Sequence, residues 1–258
     1  MRKLFTIASL AALALVSCTN DRQPNVNVEG EGSVTIICDV ATDVTVTRAE
    51  LTTEVSCTVP AVEDFGLVID GVSMSMSQSY ATIAEFNGTY LYNGTYKATV
   101  TAGDIAEEGY DKATFVGEKE FEVVARQQSN VNVTATIANA LVKVEVTDNF
   151  KTYFPGGYQL ELTTEAGNKF NVTNQSDLLF IAPTSFKVTG TATKQANQSG
   201  AAPSTITLPE FKKENLAPRT IYTVKMDVSN VGKATLTISL NETLVEEVTI
   251  EEELNEFA

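Results

Sequence analysis

Cys18 sits in a setting that implies covalent chemistry. Arg2 and Lys3 give a basic start, Leu4 to Val16 is a 13-residue run of mainly apolar side chains, and Leu15-Val16-Ser17-Cys18 closes it. The run is too short for a permanent membrane span, which takes about 20 residues. Its layout is that of an export signal. An aliphatic residue three places before the cysteine, with a small residue at the cut, follows the pattern of the bacterial lipobox. In that chemistry the thiol takes a diacylglycerol, the preceding peptide is removed and the new amine is acylated, commonly with palmitate. Each buried methylene contributes about 0.8 kcal/mol, so several chains anchor a protein stably. The expectation is lipid attachment at Cys18, with residues 1–17 as the lipoprotein signal peptide. Thr19 follows where an Asp would signal inner-membrane retention. By resemblance to other lipoproteins this favours the outer membrane, facing the periplasm or the surface.

The remaining residue types narrow the chemistry. The chain has no histidine, so a Ser-His-Asp triad, a Cys-His pair and an imidazole zinc site are all out of reach. No glycine-rich loop has the form of a phosphate cradle. Carboxylates are abundant, but a glycosidase pair usually comes with aromatic sugar platforms, and tryptophan is absent. The acidic end, Glu246-Glu247, Glu251-Glu252-Glu253 and Glu256, lacks the tight glycine turn of a calcium loop and reads as a solvated charge run. Neither catalytic residues, nor a metal, nor a cofactor are expected. Cys38 and Cys57 leave two alternatives open: a disulfide in an oxidising compartment, or two small buried apolar side chains.

Charge bears on partners. The chain has 18 basic and 33 acidic residues, and loss of residues 1–17 removes Arg2 and Lys3 to leave a net charge of −17. That balance opposes binding to nucleic acid and docking on anionic lipid. Aromatics gather at Tyr80, Phe86, Tyr90, Tyr92 and Tyr96. Exposed tyrosines there would suit a sugar or a protein partner, but Tyr96 is in phase with Ala98 and Val100 and is expected in the core.

The elements that position these residues read as strands. Val131, Val133, Ala135 and Ile137 alternate with polar residues, as do Val142, Val144 and Val146, then Tyr222, Val224, Met226 and Val228, then Leu236, Ile238 and Leu240. Period two with many Val and Thr predicts half-buried strands. Further strands are expected over Val34–Val40, Val44–Thr47, Leu51–Val59, Phe65–Ile69, Tyr96–Ala102, Lys119–Val124, Tyr158–Thr163 and Val245–Ile250. Gln78 to Phe86 suits one short helix or a strand. Asp70-Gly71, Asn87-Gly88, Asn93-Gly94, Pro155-Gly156-Gly157 and Ala166-Gly167-Asn168 signal turns. The polar stretch Arg126 to Asn130 predicts a break between two halves, and Lys194 to Ser204 a surface loop. The expected plan is a lipidated tether over 18–32, an N-terminal β-sandwich over 33–127 and a C-terminal β-sandwich with an acidic tail over 128–258.

Several stretches together resemble lipoproteins of the Bacteroidales that carry the domain of unknown function 4493. They are Val62-Glu63-Asp64-Phe65, Leu91 to Ala98 (LYNGTYKA), Phe115-Val116-Gly117 with Phe121-Glu122-Val123, Val133 to Ala140 (VTATIANA), Ala217 to Tyr222 (APRTIY) and Thr237 to Leu244 (TISLNETL). In plan the family is similar to fimbrillin-like proteins, which pair two transthyretin-like sandwiches. The resemblance implies an all-β body and a non-enzymatic cell-surface role: structural, adhesive or fimbria-like. The alternative is a glycan- or ligand-binding accessory. Implied partners are the membrane, through the lipid, and other envelope or pilus proteins or glycans. It also marks Arg48, between two expected strands, as a candidate protease maturation site.

Overall fold

The structure is a computed structural model and describes residues 30–46, 51–173, 177–194, 203–229, 235–240 and 249–253. Its strands begin with β1 (Glu31–Ala41), β2 (Asp43–Val46), β3 (Leu51–Glu54), β4 (Gly66–Gly71) and β5 (Ser77–Tyr80). A short helix α1 (Ile83–Phe86) precedes β6 (Tyr90–Tyr92), β7 (Gly94–Ala102), β8 (Gly109–Tyr110), β9 (Phe115–Val123), β10 (Gln128–Ile137) and β11 (Ala140–Val146). After helix α2 (Asp148–Tyr153) come β12 (Tyr158–Thr164), β13 (Lys169–Asn171), β14 (Leu179–Ile181) and β15 (Ser185–Lys194). The last are β16 (Ser204–Glu214), β17 (Thr220–Ser229), β18 (Thr235–Leu240) and β19 (Thr249–Glu253). The body is all-β, and no helix among the described residues is long and apolar enough to cross a membrane.

Three sheets result. The first has the order β5-β4-β7-β9-β10-β1-β6. The second runs β19-β18-β17-β11-β14-β8, with β2 beside β17 and β3 beside β2. The third is β13-β12-β15-β16. Period-two burial follows the sequence: Val131, Val133, Ala135 and Ile137 of β10 and Tyr96, Ala98, Val100 and Ala102 of β7 all point into one core. The second and third sheets enclose the other core, with Val142, Leu160, Leu162, Phe186, Val188, Val224 and Ile238 among its members. Leu141, Phe180 and Ile221 of the second sheet turn the opposite way and join the first core. One end of the second sheet is therefore buried on both faces, which couples the two cores.

The last two residues expected in the tether, Glu31 and Gly32, lie in a strand. β1 starts at Glu31, and Gly32 is already buried inside it. The absence of a side chain is what allows this: a Cβ on Gly32 would stand 2.5 Å from the Val124 carbonyl oxygen and 2.8 Å from that of Gln127. The polar stretch 126–130 is not a linker. It contains the turn between β9 and β10, with Arg126 at φ 64°, and β10 belongs to the first sheet. The change of sheet comes at Ala138-Asn139. A polar turn inside a sheet and a polar linker between sheets have the same composition, so the sequence did not separate them. The strand expected over Leu51–Val59 stops at Glu54 because its only partner is the short β2. Gln78 to Phe86 supplies both expected forms in turn, β5 and then α1, the latter capped by the Thr82 hydroxyl accepting from the Glu85 N–H.

Asn139 and Arg219 join the sheets. The Asn139 side-chain oxygen accepts from the Thr114 N–H at 2.6 Å, and its carbonyl accepts from the Arg219 N–H at 2.7 Å. Arg219 in turn donates through Nε to the Asp43 carbonyl at 2.7 Å and pairs with the Asp43 carboxylate. Gly32→Ala should lower stability by about 1–3 kcal/mol, because backbone oxygens on two sides cannot yield to the methyl. A fall in the urea midpoint with an unchanged slope is the expected result.

Candidate functional site

β1 is the first described strand of the chain. It lies parallel to β10 from Ser33↔Gln128 to Ala41↔Thr136 and antiparallel to β6 over Glu31 to Ser33. Beyond Ser33 no strand among the described residues covers its outer edge. The backbone of Gly88 and Thr89 meets Val34 instead. Asn87 then bonds both polar groups of Ile36, accepting from its N–H at 2.9 Å and donating to its carbonyl at 3.2 Å. The Asn87-Gly88-Thr89 turn thus finishes a strand edge. Val34, Ile36 and Cys38 face the core, all at most 8% exposed. The chain then crosses at Thr42 into β2, where Val44 is fully buried and Thr45 donates to the Arg219 carbonyl at 2.8 Å.

The expected sites divide as follows. Cys18 and Arg48 lie outside the described residues. The strands on either side of Arg48, β2 and β3, pair with each other up to Val46↔Leu51. Of the acidic end, Glu251 to Glu253 fall in β19, which pairs with β18, while Glu246, Glu247 and Glu256 are outside the description. The strand expected at Val245–Ile250 is described from Thr249 onward. Across the expected surface loop 194–204, Lys194 pairs with Ser204, so it joins β15 to β16.

Cys38 and Cys57 are both free in this structure. Cys38 points inward from β1, whereas Cys57 lies at the rim of the same core in the segment after β3. Burial raises the pKa of both thiols, with the Asp111 charge adding to the effect at Cys57 and Asp39 at Cys38. Neither is primed as a nucleophile.

Asp111 is the residue that sequence reading missed. Its carboxylate accepts from both the N–H and the hydroxyl of Thr58, each at 2.7 Å. Those bonds, first the hydroxyl and then the N–H, hold its pKa below the usual carboxylate range. Its φ of 54° is unusual for a residue other than glycine. The clamp pins the segment after β3 beside a cleft of about 580 Å³ lined by Cys57, Tyr110, Asp177 and Phe180. A turn residue just after a two-residue strand carries no periodic signal, so nothing in the sequence singled it out.

A larger polar groove of about 750 Å³ lies along the third sheet, lined by Thr163, Glu165, Thr184, Lys187, Glu210 and Lys212 among others. Its charges are mostly paired. Lys187 reaches Glu210 at 3.0 Å, and Lys212 meets Glu214 at 2.5 Å. That contact raises the Lys212 pKa and lowers that of Glu214, through the hydrogen bond first and the charge second. Glu165 accepts from the Ser185 hydroxyl at 3.0 Å. Hydroxyls and paired charges suit hydrogen bonding to a hydrophilic ligand. Among the described residues no group of three or more His, Cys, Asp or Glu could hold a metal ion.

The aromatic cluster splits. Phe86 and Tyr96 are core residues, and Tyr80 packs edge-on against Phe86 with centroids 5.0 Å apart. Tyr90 and Tyr92, on the short edge strand β6, are 64% and 67% exposed.

The family model for a domain of unknown function, DUF4493, matches residues 30–256, which takes in all of the described strands. The chain belongs to that family. No curated protein matches it in sequence. Among solved structures it is similar to a protein from Bacteroides thetaiotaomicron described as a candidate polysaccharide-binding protein. The identity is 8%, the TM-score 0.40, and the match covers 88% of this chain and 99% of the other. A candidate cell adhesion protein from Bacteroides eggerthii shows 11% identity and a TM-score of 0.39, covering 79% and 88%. A candidate cell adhesion protein from Bacteroides fragilis shows 12% identity and a TM-score of 0.38, covering 84% and 99%.

The Asp111 clamp makes a pH-linked prediction. A carboxylate with a depressed folded-state pKa stabilises the fold above the ordinary carboxylate range, and the effect disappears as the pH falls through the depressed value. Asp111→Asn should therefore lower the urea midpoint at neutral pH, and its difference from the parent should shrink toward zero as the pH falls below the usual carboxylate range. The same variant should label several-fold faster at Cys57 with a thiol reagent at neutral pH, with Cys38 unchanged.

Proposed function

We propose that the chain is a lipid-anchored protein of the outer membrane whose β body acts without catalysis, in a structural, adhesive or fimbria-like role. The observation that carries the anchor is Leu15-Val16-Ser17-Cys18 behind the 13-residue apolar run. The order of parts supports it, since a polar segment leads from Cys18 directly into β1. The residue types support a non-catalytic body: histidine is absent, both described thiols have raised pKa values, and the groove carboxylates are held by lysines or hydroxyls. A glycan- or ligand-binding accessory is the second reading. The polar groove of the third sheet favours it, and binding of the soluble body on a glycan array, lost on Lys187→Ala with Thr184→Ala, would establish it.

The fimbria-like form of the reading assigns a protease cut after Arg48. Such a cut would release everything up to residue 48, including β1 and β2. Val34, Ile36 and Val44, each at most 2% exposed, contribute about 1.5–3 kcal/mol apiece. Whole domains are stable by only about 5–15 kcal/mol. The remaining body would persist only if another strand filled the place of β1, as in β-strand addition. The C-terminal segment, Val245–Ile250, is the proposed donor.

Two experiments test these assignments. In cell fractionation the protein should partition with membranes into detergent, and Cys18→Ala should give a soluble or unprocessed form. Processed Cys18→Ala that remained in the membrane would refute the anchor. Low-dose trypsin on the purified protein should cut after Arg48 and yield oligomers. Resistance at Arg48, or a cut protein that stays monomeric and folded, would remove the fimbria-like role and leave the tethered lipoprotein.

A further inference from the structure

Among the described residues eight large apolar side chains are exposed, and five of them, Val72, Met74, Tyr90, Tyr92 and Val124, gather at one end of the first sheet. Register and hydrogen bonds place them there. Tyr92 pairs with Glu31 and Tyr90 with Ser33. The Val72 N–H donates to the Thr95 carbonyl at 2.9 Å, and the Met74 side chain lies over Gly94, where an added Cβ would stand 2.8 Å from its terminal methyl. Gly94 pairs with Val123, next to Val124 in the β9–β10 turn. That turn is fixed to the start of β1, since the Arg126 N–H donates to the Glu31 carbonyl at 2.8 Å.

The same end receives the chain from Cys18. The Asn93 N–H donates to the Gly30 carbonyl at 2.8 Å, and only Thr19 to Glu29 separate Gly30 from Cys18. A segment of that length reaches at most roughly 40 Å. An exposed apolar patch marks a contact surface, and tyrosines suit the headgroup level of a bilayer. Weak attraction suffices, because a short tether gives an effective concentration on the order of millimolar. Glu31 and Arg126 give this end charges of both signs rather than a basic patch. The contact therefore suits uncharged or zwitterionic headgroups.

We propose that this end of the first sheet rests on the lipid surface that carries the acyl anchor, with Tyr90 and Tyr92 at headgroup level. The proposal rests on acylation at Cys18. The chain has no tryptophan, so Tyr92→Trp in the lipidated full chain introduces a single reporter. In vesicles of phosphatidylcholine brominated near the headgroup, its emission should fall about twofold relative to plain vesicles, as for an indole at the interface. Ile37→Trp, six residues along β1 from Glu31 and roughly 20 Å away, should keep its emission. Vesicle-bound protein with an unquenched Tyr92→Trp overturns the proposal and leaves the anchor standing. Equal quenching at both positions overturns it in favour of a body lying flat. A lipid-independent blue shift of Tyr92→Trp that grows with protein concentration overturns it in favour of a second copy. Failure of the full chain to associate with vesicles at all refutes acylation, and the proposal with it.

Discussion

β1 must pair with a strand far along the chain before the first core can close. It lies parallel to β10, and parallel neighbours cannot be joined by a hairpin. Its inward side chains, Val34, Ile36 and Cys38, fill the first core from the stretch paired with β10 on one side and finished by the Asn87-Gly88-Thr89 turn on the other. Its continuation β2 then carries Val44 to the junction of the two cores and aligns with β17 through Thr45↔Thr220. The Asp43–Arg219 pair and the Asn139 bonds hold that junction. The first two strands of the body thus reach both sheets, while their buried side chains all belong to the first core.

This arrangement bears on the proposed function because Cys18, the proposed anchor, precedes β1. With such an anchor, a load between the membrane and a partner would enter the body at Gly30 and pass along β1 into both sheets. Parallel β1–β10 pairing places hydrogen bonds along the length of the strand, so a pull along its axis shears many bonds together. The same integration makes β1 the segment whose loss would most disturb the body, which is what the fimbria-like reading requires of a removable strand.

Much of this was legible in the sequence. The alternation in β10, β11, β17 and β18 predicts their inward faces correctly, and Tyr96 is buried as its phase with Ala98 and Val100 requires. Other elements were hidden for physical reasons. In β15 the pattern Phe186, Val188, Ala192 is interrupted at Gly190, where the register with β16 shifts; a bulge at a glycine breaks period two. β16 is an edge strand and carries Pro209 with Lys212 and Lys213, residues that protect edges and mask strand signals. The parallel pairing of β1 with β10 and the crossing into the second sheet have no local signature at all. Of the candidate sites, the Tyr90–Tyr92 exposure was half legible, since alternation puts both on one face but does not say which face meets solvent. The Asp111–Thr58 clamp depends on a contact between distant loops and left no trace in local pattern.

The central claim is that a lipid on Cys18 holds an intact, non-catalytic β body at the membrane through its first strand. The most direct measurement is the mass of the N-terminal peptide and of the intact chain extracted from membranes of the native cell. The account predicts a chain that begins at Cys18, carries the added mass of its acyl groups and includes β1. An unmodified terminus at or after Thr19, or a retained 1–17 segment, would contradict it.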